Sequence, residues 1–386
     1  MYIIGEKEVQ AVRKVLLRHT LFRYAVGNEC ARFEKRYAKL LGVKYVGMTA
    51  SGTNALTAAL VGLGIGPGDE VLVPACTYMA TAASVVAAGA IPVVVDVDDT
   101  ITIDPKAVDA AVGPRTKAVI PVHLWGLPCD MGAIMKVARR HRLLVVEDAC
   151  QAVGGAYKGR MLGSIGHAGA FSFNYYKNIT AGEGGAFATN DYRAYQRGGI
   201  AVDCFRFYWD GRDPYLKPFL SNGARASEVS GAILNVQLGR LPGMIKKMRA
   251  EKKRILAATA DTGLAAIRAT SLDWECGTHV MYTLPTPAQA DAFAKKVGGF
   301  VTAKTGRHIY TEWDPVFNRL GAHHPALDAF RLKENKGCRT NYTKSMCRRS
   351  LDILARTVAF GTHPERTAAQ VAALISKVRK AAGEIL

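Results

Sequence analysis

Between about residues 50 and 190, short β-branched apolar runs at 70–74, 91–95, 118–122 and 143–146 alternate with longer helix-like stretches. That alternation predicts βαβ units. The runs are uniformly apolar because helices cover a largely parallel sheet on both faces. Gly66-Pro67-Gly68-Asp69 is the turn that feeds the first run. The chain reads as helix from Glu6 onward. Residues 227–260 read as one or two helices, with Pro242 punctuating the run because it brings no N–H to the ladder. Beyond that the pattern turns to α+β, with a strand at 280–284 and a helix at 288–297 entered through Pro287. The expected fold class is therefore α/β. A large domain, 1–250, holds an N-terminal helical segment and a mostly parallel sheet flanked by helices, and a smaller α+β domain covers 251–386. A length of 386 residues fits two domains better than one small core.

Composition narrows the class without choosing a function. Hydrophobic residues make up 49% of the chain and charged residues 22%, as in a globular protein, so disorder does not dominate. No apolar stretch is long enough to span a bilayer, since the Ala/Val-rich segment 79–97 is broken by Gly89 and Pro92. The start of the chain has no secretory pattern, and a cytoplasmic location is expected. Eight cysteines are scattered without metal-ligand spacing, so the reading is reduced, mostly buried thiols and no metal. The formal net charge of +19 favours anionic partners, but the basic residues are spread along the chain without a nucleic-acid-binding motif. Neither nucleic acid nor membrane is expected as a partner.

Three segments carry chemistry. Thr49-Ala50-Ser51-Gly52-Thr53-Asn54 opens a helix with hydroxyls and small residues, which is ordinary N-capping or an anion cradle. The run at 143–146 leads into Glu147-Asp148 and places a carboxylate at the carboxyl edge of the sheet, where ligands collect. Finally, Ser172 ends a strand, Lys177 follows among Tyr175 and Tyr176, and Gly182-Glu183-Gly184-Gly185 forms a turn that permits close approach. Aromatic neighbours that exclude water would favour Schiff-base chemistry at the lysine. An anion cradle, a carboxylate and an amine are the set that pyridoxal 5'-phosphate requires: donors for its phosphate, a partner for its ring nitrogen and a covalent anchor.

With these segments in this order, the chain resembles the DegT/DnrJ/EryC1/StrS family of sugar aminotransferases, which have the fold type I architecture of the aspartate aminotransferase superfamily. Further marks are Gly64-Ile65-Gly66-Pro67-Gly68-Asp69-Glu70-Val71, Thr77-Tyr78, Asp148-Ala149-Cys150-Gln151 and Lys177-Asn178. The resemblance implies a pyridoxal-phosphate transaminase, cycling through the pyridoxamine form, with a mixed, mostly parallel sheet in its large domain. Lys177 matches the Schiff-base lysine and Asp148 the partner of the ring nitrogen. Gln151 is similar to the residue near the phenolic oxygen and Tyr78 to the ring-stacking aromatic. Ser51, Gly52, Thr53 and Ser172 match phosphate-binding positions. The implied partners are glutamate or glutamine as donor and a keto-sugar as acceptor, whether a nucleotide-linked hexose, an octulosonate or a cyclitol. The implied assembly is a homodimer with the active site at its interface.

One motif departs from the family. Where relatives read Gly-x-Asn-x-Arg-Met-Ser-Glu, with the asparagine reaching the partner's cofactor phosphate, this chain has Ser221-Asn222-Gly223-Ala224-Arg225-Ala226-Ser227-Glu228. Either a loop shift lets Asn222 serve or the contact is lost. Arg23, Tyr24, Tyr175, Tyr176, His308, Tyr310 and Trp313 are the candidate acceptor contacts, and packing is the competing role for each aromatic. Residues 205–209 are expected as a loop over the site. Two other readings exist: a pyridoxal-phosphate sugar dehydratase, whose relatives carry histidine in place of the lysine, and a regulatory or nucleic-acid-binding protein retaining the fold.

Overall fold

In the computed structural model, which describes residues 2–25, 27–210, 216–270 and 272–386 apart from the side chains of Phe207 and Asp210, the apolar runs are strands. They are β1 (Tyr45–Thr49), β2 (Glu70–Pro74), β3 (Ile91–Val95), β4 (Thr116–Val119) and β5 (Leu144–Asp148), then a short hairpin of β6 (Ala156–Tyr157) and β7 (Arg160–Met161), then β8 (Ala168–Ser172) and β9 (Gly185–Thr189). All but the hairpin form one sheet in the order β1-β9-β8-β5-β4-β2-β3. The pairs β2/β3, β2/β4, β4/β5 and β5/β8 are parallel, whereas β9 runs antiparallel to both β8 and β1. Every strand of this sheet except β9 therefore points the same way, and their carboxyl ends share one edge. Gly185 faces both Thr49 and Ser172 in register, which brings the ends of β1 and β8 to the start of β9.

Alternation along the strands decides which side chains reach that edge. Val71, Val73, Val146 and Ala170 pack on one face with Leu56 and Leu60 of helix Gly52–Gly62. Leu72, Val145 and Phe171 pack on the other with Phe33 and Tyr37 of helix Glu29–Leu41. The same period of two sends Glu147 and Asp148 to opposite sides. Glu147 is buried, accepting hydrogen bonds from the backbone N–H groups of Gly163, Ile165 and Gly166 (2.9, 2.5 and 2.7 Å) with His123 Nε2 3.0 Å away. Asp148 alone of the pair faces the site.

Of the two readings of 227–260, one helix or two, the structure takes the first: Glu228–Ala258 is one helix with Pro242 inside it. The lost backbone bond and ring clash cost about 3 kcal/mol. Leu238, Leu241, Met244, Ile245 and Met248 flank the proline and join the large core, and burial of such side chains is worth about 1.5–3 kcal/mol each. Packing therefore holds the two halves in line. Residue 250 lies inside this helix, between Met248 in the large core and Ile255 in a second one.

That second core supports an antiparallel sheet of β10 (Ala265–Ala266), β11 (His279–Thr283), β12 (Phe300–Val301) and β13 (Thr357–Gly361), in the order β10-β11-β13-β12. Helices Pro287–Val297 and Ala368–Ile385 cover it. The C-terminal third also turns back on the large sheet, where Tyr310, Trp313, Val316 and Cys347 pack in the cluster of Val71 and Val73. No helix among the described residues is long and apolar enough to cross a membrane. All eight cysteines are free, six of them buried.

Candidate active site

At the carboxyl edge of the large sheet lies a cavity of about 570 Å³. Its floor is set by local chain chemistry. Ser51 is the N-cap of helix Gly52–Gly62, in extended conformation, and its hydroxyl accepts the N–H of Asn54 at 3.2 Å while donating to Asn54 Oδ1 at 2.7 Å. The N–H groups of Gly52 and Thr53 belong to the first turn and have no partner within the helix. Gly52 is required by close approach: a Cβ there would lie 2.7 Å from Cβ of Ser172 and 3.0 Å from the Cys150 sulfur. Gly185 is constrained in the same way, since its Cβ would stand 2.3 Å from the Ser51 carbonyl oxygen. Two backbone donors, the Ser172 hydroxyl and the positive end of a helix dipole thus form an anion cradle.

Asp148 stands across from that cradle. Its Oδ2 accepts the hydroxyl of Thr81 at 2.8 Å and its Oδ1 accepts the N–H of Cys150 at 3.1 Å. Lys177 follows the turn in which its own N–H bonds the Asn174 carbonyl at 3.1 Å. The cavity brings together Ser51, Gly52, Thr53, Tyr78, Asp148, Gln151, Ser172 and Lys177, which are eight of the nine residues expected to hold the cofactor. Burial pushes the Cys150 thiol well up, with Asp148 reinforcing and Lys177 opposing the shift.

Asn222 is the ninth, and it does not line this cavity. It is exposed in a segment that passes beside the cradle, where the Ala224 carbonyl accepts the N–H of Ala50 at 2.8 Å and Gly223 bridges to Asp203.

Of the expected acceptor contacts, Tyr176 and His308 line the cavity. The others do not. Tyr310 and Trp313 are core residues with no exposed surface, and the Tyr310 hydroxyl is spent on the Lys344 carbonyl at 2.7 Å. Arg23 is paired with Glu34 at 2.5 Å, and the Tyr24 hydroxyl donates to Asp203. Tyr175 leans on Tyr2, ring centroids 5.5 Å apart. At 61% and 69% exposed, Tyr175 and Tyr176 do not enclose the lysine. Residues 205–209 also fail to cover the site: Arg206 stacks on Tyr195 at 4.4 Å, and Trp209 packs on Phe22 at 4.8 Å.

The far wall comes from residues the sequence did not single out, apart from His308. Trp125, Thr278, His279, Phe300 and Arg307 all line it. Trp125 is at its centre, with rings of His308 and Phe300 both 5.6 Å away and His279 at 6.3 Å, while Tyr78 lies 5.7 Å from His308. Trp125 has φ 50 and ψ 33, a left-handed conformation that disfavours any side chain. The Thr278 hydroxyl secures it by donating to the Trp125 carbonyl. With its one proton there, Thr278 accepts from His279 Nδ1 at 3.1 Å, leaving His279 Nε2 as an acceptor. His279 is lowered to about 4 by burial, then by Lys252 and His308; His308 is lowered to about 4 by burial, then by Lys177 and Arg307. Both rings are neutral at physiological pH, and the buried Nδ1 of His308 has no partner among the described residues. A left-handed tryptophan and a histidine at a strand start carry no local signature of such a role, so tertiary contact alone reveals them.

The cavity fits pyridoxal phosphate by its donor set: a cradle too tight for a Cβ, and a carboxylate and an amine on the same lining. Among known proteins the chain is similar to GDP-perosamine synthase of Caulobacter vibrioides, 45% identical over 221 residues, which cover 56% of this chain and 58% of that protein. It is also similar to the spore coat polysaccharide biosynthesis protein SpsC of Bacillus subtilis, 47% identical over 190 residues, covering 49% and 48%. The chain thus spans about half the length of the curated relatives it matches. In structure it is similar to an aminotransferase from Psychrobacter cryohalolentis, with a TM-score of 0.80 and 29% identity over 99% of this chain and 98% of that one. The description of the DegT/DnrJ/EryC1/StrS aminotransferase family matches residues 2–379, and the chain belongs to that family.

Proposed function

We propose that this chain is a pyridoxal-phosphate-dependent sugar aminotransferase that moves an amino group from glutamate or glutamine to a keto-sugar. The observation that carries the reading is that Lys177, Asp148 and the Gly52–Thr53/Ser172 cradle converge on one cavity. When bound, the cofactor supplies an aldehyde carbon for amines and a ring that accepts an electron pair. Gly52 and Thr53 N–H groups and Ser172 Oγ would hold its phosphate, Tyr78 its ring face, Asp148 its ring nitrogen and Gln151 its phenolic oxygen. Lys177 Nζ would anchor it and, once freed, would carry the proton between the amine-bearing carbon of the substrate and the aldehyde-derived carbon of the cofactor, in one direction for the donor and in the other for the acceptor. The neutral rings of His279 and His308 can bond acceptor hydroxyls without placing a charge beside the lysine, and Tyr176 shares the lining.

The acceptor class rests on the sugar-pathway relatives and on that largely aromatic wall, where two neutral histidines stand beside Arg307; a lysine rather than a histidine at 177 favours transamination over dehydration. A second copy of the chain is the assembly partner in this reading. Leu220, two residues before Asn222, is 90% exposed, an apolar side chain that such a partner would cover. Asn222 would then face the partner's cradle. The test is Lys177→Ala: it should remove the visible absorption of the bound cofactor and all turnover in a donor and keto-sugar screen, with unchanged circular dichroism. A variant that kept its colour and activity would end the reading.

A further inference from the structure

The helix after Tyr78, Ala80–Ala87, carries a buried hydroxyl chain that ends on Asp148. Thr77 Oγ1 lies 2.8 Å from Thr81 Oγ1, and Thr81 Oγ1 lies 2.8 Å from Asp148 Oδ2; both threonines have no exposed surface. An ionised carboxylate only accepts, so Thr81 must give its single proton to Asp148, and Thr77 must in turn give its proton to Thr81. Each donor is polarised by the next, which strengthens a chain of this kind. Were Asp148 to carry a proton, it would donate to Thr81 and the order would reverse. Thr77 would then turn toward the Tyr78 carbonyl, which its oxygen already approaches at 3.4 Å. The distances fit either order, and a protonated ring nitrogen bonded to Asp148 would select the first.

Position adds to this. Thr77 is the residue immediately before Tyr78, and Thr81 joins Asp148 among the residues lining the cavity. The side chain expected on the ring face and the one expected at the ring nitrogen are thus tied by two hydroxyls to one turn of backbone. The Cys150 N–H on Oδ1 fixes the other oxygen, and the carboxylate has no freedom to rotate about its own axis.

We infer that Thr81, backed by Thr77, is a positioning residue that holds the Asp148 carboxylate in the plane and charge state needed to bond a protonated ring nitrogen. The inference rests on the pyridoxal-phosphate reading. It is tested on the full-length protein with cofactor labelled with nitrogen-15 in the ring, reading the nitrogen's chemical shift against pH and the cofactor dissociation constant. Thr81→Val should weaken cofactor binding by about tenfold and bring ring-nitrogen titration into the accessible pH range, the loss of one hydrogen bond to a charged group. Thr81→Ser should restore both. Thr77→Val should shift both readings in the same direction by less, and it serves if Thr81→Val does not fold. In an Asp148→Asn background, Thr81→Val should add nothing to either reading. Wild-type titration and affinity in Thr81→Val, or a further tenfold loss in the Asp148→Asn background, would overturn the positioning role while leaving the cofactor reading intact. No uptake of cofactor by the unaltered chain would end both.

Discussion

The two walls of the cavity are built in different ways. The cofactor wall comes from strand ends and the turns that follow them, within residues 49–185, and its register is fixed by the pairing of Gly185 with Thr49 and Ser172. The opposite wall joins Trp125, Thr278, His279, Arg307 and His308, brought together from separate segments by contacts such as the Thr278 hydroxyl on the Trp125 carbonyl. The first wall is a property of one sheet edge. The second exists only when the two sheets are docked.

The largest effect that separates the walls is expected from acid. His279 and His308 titrate near 4 in the fold against 6.5 for a free ring. As pH falls below about 6.5 the unfolded rings take up protons and the folded ones do not, so the stability they contribute above 6.5 is lost progressively down to about 4. The loss is up to about 3 kcal/mol for each ring. In cofactor-free protein, denaturant titrations of the unaltered chain and of the His279→Phe/His308→Phe double variant should diverge below pH 6.5, the variant falling less steeply. Parallel curves would show that the wall is open to water. Gly52→Ala attacks the other side. Its Cβ would lie 2.7 Å from Ser172 Cβ, so either the helix or β8 must shift, at about 1–3 kcal/mol of stability. Cofactor uptake should weaken with it, and the acid response of the two histidines should not change.

The same contrast explains what could be read from sequence. β2 and β3 fall where the apolar runs predicted them, because strands buried on both faces leave a continuous signal. Lys177 and the Ser51–Thr53 turn stood out because each follows a strand by a short, chemically marked turn, and Asp148 because it ends one. His279 did not, since a strand's first residue bears no mark of what it will face across the junction of two sheets. Tyr310 and Trp313 looked like ligand contacts and are core, because an aromatic's depth is set by the chain that folds over it. Whether Pro242 splits its helix could not be read locally for a related reason: five buried side chains around it outweigh one missing bond. Thr81 lies one helical turn after Thr77, a spacing visible in the sequence, but its partner is 67 positions away.

A smaller effect distinguishes chemistry from packing on the far wall. His279→Phe keeps a ring beside Trp125 and removes the Nε2 acceptor. If that nitrogen bonds an acceptor hydroxyl, kcat/KM for the keto-sugar should fall by up to about tenfold, and the cofactor dissociation constant should stay within about twofold. A change in cofactor affinity instead would place His279 on the cofactor side and dissolve the division.

The smallest effect concerns Ser51, where helix capping and phosphate binding compete for one hydroxyl. Its proton goes to Asn54 Oδ1 and its lone pair to the Asn54 N–H, so the hydroxyl is already committed when an anion arrives. The donors left for a phosphate are the Gly52 and Thr53 N–H groups and Ser172. Ser51→Ala should therefore cost about 1 kcal/mol of stability, as loss of an N-cap does, and the cost should be the same with and without saturating cofactor. If Ser51 also held the phosphate, the variant would lose part of the stabilisation that ligand binding confers, and the gap between the two proteins would widen as cofactor is added. Equal gaps in thermal melts with and without cofactor assign Ser51 to the helix; a widening gap assigns it to the ligand.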